Sequence, residues 1–163
     1  MSFPYDKYPF INPSILCEVP RGWYLLVEML CEEITPLIDE NYEIFQAKEK
    51  YGELRWYDTG SPEVDEIIQK YSVMSSHICA ICGKPDVAIT DAGWIYPECR
   101  ECYEKNDHHH RPYDEVVISE DPKIPDSYVV NHWTDDGYAN IEFDISETVE
   151  EYRKRRRESY ECT

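Results

Sequence analysis

The stretch HICAICGKPDVAITDAGWIYPECRECYEK, residues 77–105, constrains this chain most, because it places four cysteines in the spacing C-x2-C-x16-C-x2-C. Two residues between cysteines let both sulfurs of a pair reach one ion while backbone N–H groups point at the thiolates. Gly83 follows Cys82, where such a knuckle calls for a left-handed residue. The sixteen residues between the pairs suffice for a hairpin, DVAIT and WIY around Asp91-Ala92-Gly93, that returns the second pair to the first. Cys79, Cys82, Cys99 and Cys102 are therefore the candidate ligands of a structural zinc ion, a closed tetrahedron with no open position. An iron–sulfur or rubredoxin-like iron centre is the chemical rival. A redox-active CxxC fits less well, since both pairs occur together at ribbon spacing. A hairpin of ~25 residues cannot bury enough surface alone, so the ion takes the place of a core.

The other cysteines, Cys17, Cys31 and Cys162, are scattered, and an odd count suits a metal in a reducing compartment better than a disulfide framework. Cys31 lies in an apolar helical pattern and reads as a buried thiol. His77 reads as an exposed or packed side chain, with an alternative as a ligand or a group beside the metal. His108, His109 and His110 read as a solvated tract, with weak transition-metal binding as the alternative, and His132 as structural. The chain has 163 residues, 42% of them hydrophobic, enough for a core. No apolar run is long enough to span a bilayer. The opening MSFPYDKYPFINPS has Pro4 and Asp6 where a leader needs a basic start and an apolar run, so a cytoplasmic protein is expected.

The pattern predicts an α+β fold, with helices packed on small antiparallel sheets and a zinc-ribbon-like four-cysteine hairpin. Three consecutive regions, 1–76, 77–105 and 106–163, are expected to form one compact unit. Residues 1–20, with four prolines, read as an irregular arm. From Arg21 a helix is expected, with Trp23, Leu26, Val27, Leu30, Ile34, Leu37 and Ile38 facing the core and Glu28, Glu32, Glu33 and Glu40 facing solvent. Pro36 kinks it or marks its last turns. Residues 41–60 predict two strands around Tyr51-Gly52. Ser61, Pro62 and Glu63 open a helix with a Val64, Ile67, Ile68, Tyr71 stripe. Beyond the cysteines, EVVIS, SYVVNHW and YANIEF predict an antiparallel meander or three-strand sheet. Asp144 with Glu147 is a capping pair for a last helix over about 145–160.

GWYLLVEMLCEEI, KEKYGELRWY, VDEIIQKY, CAICG, and a Gly-Trp before CREC occur in that order. The chain over about residues 20–103 thereby resembles a group of small, largely uncharacterised proteins of phages, prophages and bacteria, which carry a GW-led helix, a KEKFGGLRFY-like hairpin and a CxxCG zinc element. It departs from that pattern at Tyr51, Glu53 and Trp56, where Phe, Gly and Phe are common. The resemblance implies a phage or mobile-element context and no particular activity.

Charge narrows the functions. The formal net charge is -18. Arg153 to Arg157, RKRRR, hold five of the 16 bases, which leaves 32 acids against 11 bases, or -21, before Arg153. Such a body repels phosphate backbones and lacks the Lys and Arg that displace counterions, so it is not expected to bind nucleic acid directly. No P-loop, GxSxG, HExxH or Rossmann glycine pattern is present, and no enzymatic activity is expected. The favoured expectation is a phage-type interaction protein whose carboxylates occupy the basic nucleic-acid site of a host defence enzyme or CRISPR effector, as anti-CRISPR and anti-restriction proteins do. The candidate partner-binding residues are Asp114, Glu115, Glu120, Asp121, Asp135, Asp136, Glu142, Asp144, Glu147, Glu150 and Glu151. Docking between copies of the chain is a further possibility. The alternative is a zinc-ribbon nucleic-acid module using Lys84, Trp94, Tyr96, Arg100, Lys105 and the RKRRR tail, which otherwise pairs with its own acids, for example Glu151 with Arg155. A third reading is a structural or regulatory accessory whose acidity serves solubility. The cluster Lys48, Lys50, Arg55 with Tyr51, Trp56 and Tyr57 reads as hairpin salt bridges, or else as a basic–aromatic contact patch.

Overall fold

The computed structural model describes residues 3–85, 87–107, 109–118, 128–134, 137–143 and 145–156; for 128–134, 137–143, 145, 146 and 156 the backbone alone is described. The fold is α+β: helices with three two-stranded antiparallel sheets and a four-cysteine cluster. Helix α1, Tyr24–Ile34, follows a 3-10 turn at Arg21–Trp23 and is the centre of the core. Trp23, Leu26, Val27, Leu30 and Ile34 are buried as their spacing predicts, and Leu25, Met29 and Cys31 are buried with them. The helix closes where Thr35 Oγ1 donates to the Cys31 carbonyl at 2.6 Å and Pro36 enters a 3-10 turn, Thr35–Leu37. Leu37 is exposed beyond it.

One expectation fails here. Glu28 is expected to face solvent, yet its residue is 0% exposed. The N-terminal arm is irregular, but Phe3, Tyr8, Ile11, Leu16 and Val19 belong to the main core. Helix α5, Ile145–Arg156, also brings Val149 and Tyr152 into that core, and Arg155 reaches Glu32 of α1 at 3.0 Å. With the arm and α5 both contributing, α1 is enclosed on faces that a one-sided stripe leaves open.

Strands β1, Ile44–Lys50, and β2, Glu53–Asp58, form the predicted hairpin. Tyr51 (φ 55°) and Gly52 (φ 79°) are both left-handed, the requirement of a two-residue type I′ turn, and Lys50 pairs with Glu53 across it. A register shift between Ile44 and Gln46 buries Ile44 and leaves Phe45 exposed. Ala47, Leu54 and Trp56 share the inner face and are buried, while Lys48, Arg55 and Tyr57 share the outer one. On that outer face Lys48 lies 6.0 Å from the Tyr57 ring centroid and Arg55 reaches Glu53 at 3.6 Å.

Helix α2, Pro62–Ser75, starts as expected: Ser61 Oγ accepts from the Val64 N–H at 3.4 Å, and Glu63 and Asp65 lie in the first turn, where the helix dipole favours them. Val64, Ile68, Tyr71 and Met74 are buried. Its last residue fastens the sheet. Ser75 Oγ accepts from the outward-pointing Leu54 N–H at 2.8 Å and donates to the Ser72 carbonyl at 2.6 Å. Ser75→Ala leaves a buried strand N–H without its partner and is expected to cost about 1–3 kcal/mol, read from urea denaturation midpoints. A loss below about 0.5 kcal/mol would show that the strand edge finds another acceptor.

Strands β3, Ile89–Asp91, and β4, Ile95–Pro97, are the predicted ribbon hairpin, followed by α3, Arg100–Lys105. Residues 115–118 of EVVIS do not form a strand. Tyr113–Val116 forms a short helix, α4, after Pro112, and Val117 makes a single bridge to Thr90. Beyond it, β5, Tyr128–Thr134, pairs with β6, Gly137–Phe143, so the described residues hold a two-stranded hairpin in place of the three-strand sheet. No helix among the described residues is long and apolar enough to cross a membrane.

Candidate metal centre

The ribbon is joined to the helical core by hydrogen bonds to its main-chain carbonyls. The Gly22 N–H donates to the Ala80 carbonyl at 2.8 Å, and Trp23 Nε1 donates to the Ile78 carbonyl at 2.9 Å. A Cβ on Gly22 would lie 2.2 Å from the Cys79 carbonyl oxygen, so only glycine permits this approach. Ile78 and Ala80 belong to the main core, and Cys79 is fully buried beside them.

The first knuckle is built by its own backbone. The Cys79 N–H donates to the Lys84 carbonyl at 2.8 Å and the Gly83 N–H returns to the Cys79 carbonyl at 2.9 Å, with Gly83 at φ 83° as its position requires. The β3–β4 hairpin carries the chain back, and the Ala80 N–H donates to the Pro97 carbonyl at 2.9 Å. Cys99 is then the N-cap of α3, its Sγ accepting from the Cys102 N–H at 3.4 Å, while the Cys99 N–H donates to Cys79 Sγ at 3.3 Å. These donors and the helix start favour thiolate sulfur.

All four Sγ atoms lie within 4.8 Å of one another. A tetrahedron of metal–sulfur bonds near 2.3 Å has sulfur–sulfur edges of about 3.8 Å, and Cys82 Sγ and Cys99 Sγ are 3.8 Å apart. The site has the size of one ion held by four sulfurs, so the four cysteines can bind a metal. Ionisation of all four sulfurs together calls for a cation between them. Burial opposes ionisation of Cys99, but the Cys102 N–H and neighbouring thiols bring its pKa down overall. Burial and the charge of Cys79 and Cys82 push the Cys102 thiol far up. Four adjacent thiolates repel one another unless a metal ion lies between them.

His77 is outside the ligand cluster. Burial lowers its pKa to about 4, so it is neutral at pH 7, and its carbonyl accepts from the Val87 N–H at 3.2 Å. The histidine tract is not wholly solvated. His109 stacks on Tyr103 with ring centroids 3.9 Å apart, and its Nε2 lies 3.3 Å from the buried Glu98 carboxylate. Burial raises the Glu98 pKa, and His109 works against that rise. This pair, whose Glu98 immediately precedes Cys99, had no sequence signal beyond one histidine in a polar run. His110 is exposed.

The described residues include six of the candidate acids. Asp114 pairs with Arg100, which holds its carboxyl below the usual range, and Glu115 lies 3.8 Å from Arg111. Glu147 and Glu151 are exposed on α5, and Glu150 is half-buried. Glu142 stands opposite Val129 in the β5–β6 register. Glu120, Asp121, Asp135, Asp136 and Asp144 lie outside the described residues. In the basic tail, Arg153 is buried and Arg155 pairs with Glu32 in place of the expected Glu151. Comparisons with protein-family models, curated proteins and solved structures give no match.

Proposed function

We propose that the chain is a non-enzymatic, acidic interaction protein of phage type, stapled by one structural zinc ion, that blocks the basic nucleic-acid site of a protein partner. A host defence enzyme of the CRISPR or restriction kind has the required chemistry. The observation that carries this reading is how five of the described arginines are engaged; Arg21 is exposed and is not among them. Arg55, Arg100, Arg111 and Arg155 are held by Glu53, by Asp114 and Glu104, by Glu115 and by Glu32, and Arg153 is buried. Such exposed pairs add little stability. Their consequence is that these cations do not stand free to receive phosphate, while the chain keeps its net charge of -18. Zinc is the metal that a closed four-thiolate structural site prefers by donor type, with single-iron binding as the competitor that metal analysis distinguishes.

The same engagement weighs against a nucleic-acid ribbon, since Arg100 and Arg155 pair with the protein's own acids and Arg153 is buried. The test is a complex with a purified basic partner captured from host lysate. It is expected to form at ~50 mM salt, to weaken at least tenfold by ~300 mM as screening shortens, and to be displaced by heparin. Salt-independent binding, or a gel shift of DNA or RNA by the protein alone, would overturn the reading.

A further inference from the structure

Two hairpin tips meet beside the metal centre, and one carboxylate ties them. Glu49 Oε1 accepts from the Gly52 N–H at 2.9 Å, and both Glu49 oxygens lie 3.2 Å from Trp94 Nε1. Gly52 rests on the ribbon, where a Cβ would lie 3.4 Å from Ile95 Cγ2 and 3.5 Å from Pro97 Cδ. The indole is thus fixed by its N–H edge, while the Trp94 residue is 64% exposed. On the adjoining tip Tyr51 is 68% exposed and takes a φ of 55°. That position of a type I′ turn suits Asn, Asp or Gly, and a bulky side chain there is strained. A strained aromatic that contributes nothing to the core, next to a pinned and exposed tryptophan, marks a contact surface.

The chemistry of the occupant follows from what surrounds the rings. Aromatic faces attract cations, tryptophan most strongly, and Lys50 Nζ already lies 5.6 Å from the Tyr51 ring centroid. Glu49 adds a carboxylate at the edge of the indole. A planar guanidinium can stack on the ring and bond that carboxylate together, whereas an ammonium cannot stack. The net charge of -18 draws a basic partner toward the whole surface.

We propose that Trp94, Tyr51 and Glu49 form an arginine-reading anchor for an arginine-rich segment of a protein partner. The inference rests on the reading of the chain as an acidic interaction protein, and it locates a contact away from the C-terminal acids. It distinguishes arginine from lysine, which net charge alone does not do.

The test is titration of the metal-loaded protein with nona-arginine and nona-lysine peptides by calorimetry at ~50 mM salt. Nona-arginine is expected to bind roughly tenfold more tightly than nona-lysine, and Trp94→Ala and Tyr51→Gly are each expected to remove most of that difference. Tyr51→Gly relieves the left-handed tyrosine, so its melting temperature should equal or exceed that of the parent, separating lost contact from lost fold. If both peptides bind the parent and both variants alike, the anchor is overturned and the acidic interaction reading stands. If neither peptide binds the parent, both are overturned.

Discussion

Stripped of its metal by a strong chelator at neutral pH, the protein is expected to lose the ribbon and to melt at least ~10 °C lower, a shift that corresponds to only a few kcal/mol in a chain of this size. Structural zinc supplies about 10–16 kcal/mol of apparent binding free energy in small fingers. The cluster around the ligands explains why little of this can be replaced. It consists of Cys79, Val87, Cys99 and Cys102, with Cys82 packed against it. Without the ion there is one apolar side chain and four thiols that cannot all ionise together. Damage should spread, because Ile78 and Ala80 of the same knuckle are part of the main core. The checks are metal analysis before and after chelation, thermal scans, and recovery on adding back zinc. One equivalent of zinc is expected, whereas a coloured protein would indicate iron. A chain that releases its metal and keeps its melting temperature would show that the knuckle hydrogen bonds suffice.

Trp23→Ala should cost about 3–5 kcal/mol, the range for truncating a large buried aromatic. Trp23 is fully buried at the entry to α1, and its Nε1 holds the Ile78 carbonyl at 2.9 Å, one residue before the first ligand. The loss therefore combines a cavity in the helical core with a carbonyl left without its donor. Trp23→Phe separates the two: it keeps much of the ring volume and should cost about 1–3 kcal/mol from the hydrogen bond. Denaturant midpoints give both values. Competition with a chromophoric chelator should show weaker metal retention in both variants, since the junction positions Cys79. A Trp23→Ala loss below about 1 kcal/mol would mean that the ribbon and core are not mechanically joined at this point.

Local chemistry made much of the fold legible. Ser61-Pro62 announced α2, Tyr51-Gly52 announced a two-residue turn, and the cysteine spacing announced both the ribbon hairpin and the four sulfurs brought within 4.8 Å. What escaped depends on contacts between distant segments. Nothing near Glu28 says that its side of α1 will be covered, because α5 and the N-terminal arm reach the same core from opposite ends of the sequence. Glu98 and His109 meet only after α3 has turned the chain back. EVVIS has strand composition, yet Pro112 starts a helical turn that consumes its first residues. The role of Glu49 in joining two hairpin tips required both tips to be in place.

The crossing at Gly22 has a consequence for how the chain is made. Were Gly83 to carry a Cβ, that atom would lie 2.9 Å from the Gly22 carbonyl oxygen and 3.1 Å from Arg153 Nη2. The first helix, the metal knuckle and the last helix therefore meet at one point. At ribosomal rates of ~5–20 residues per second, the last of the three is synthesised several seconds after the second. For that interval the nascent chain holds its ligands and α1 while Val149, Tyr152 and Arg153 have yet to emerge, so the seat they fill stands open. Metal capture can precede completion of the helical core, which closes only once α5 has emerged.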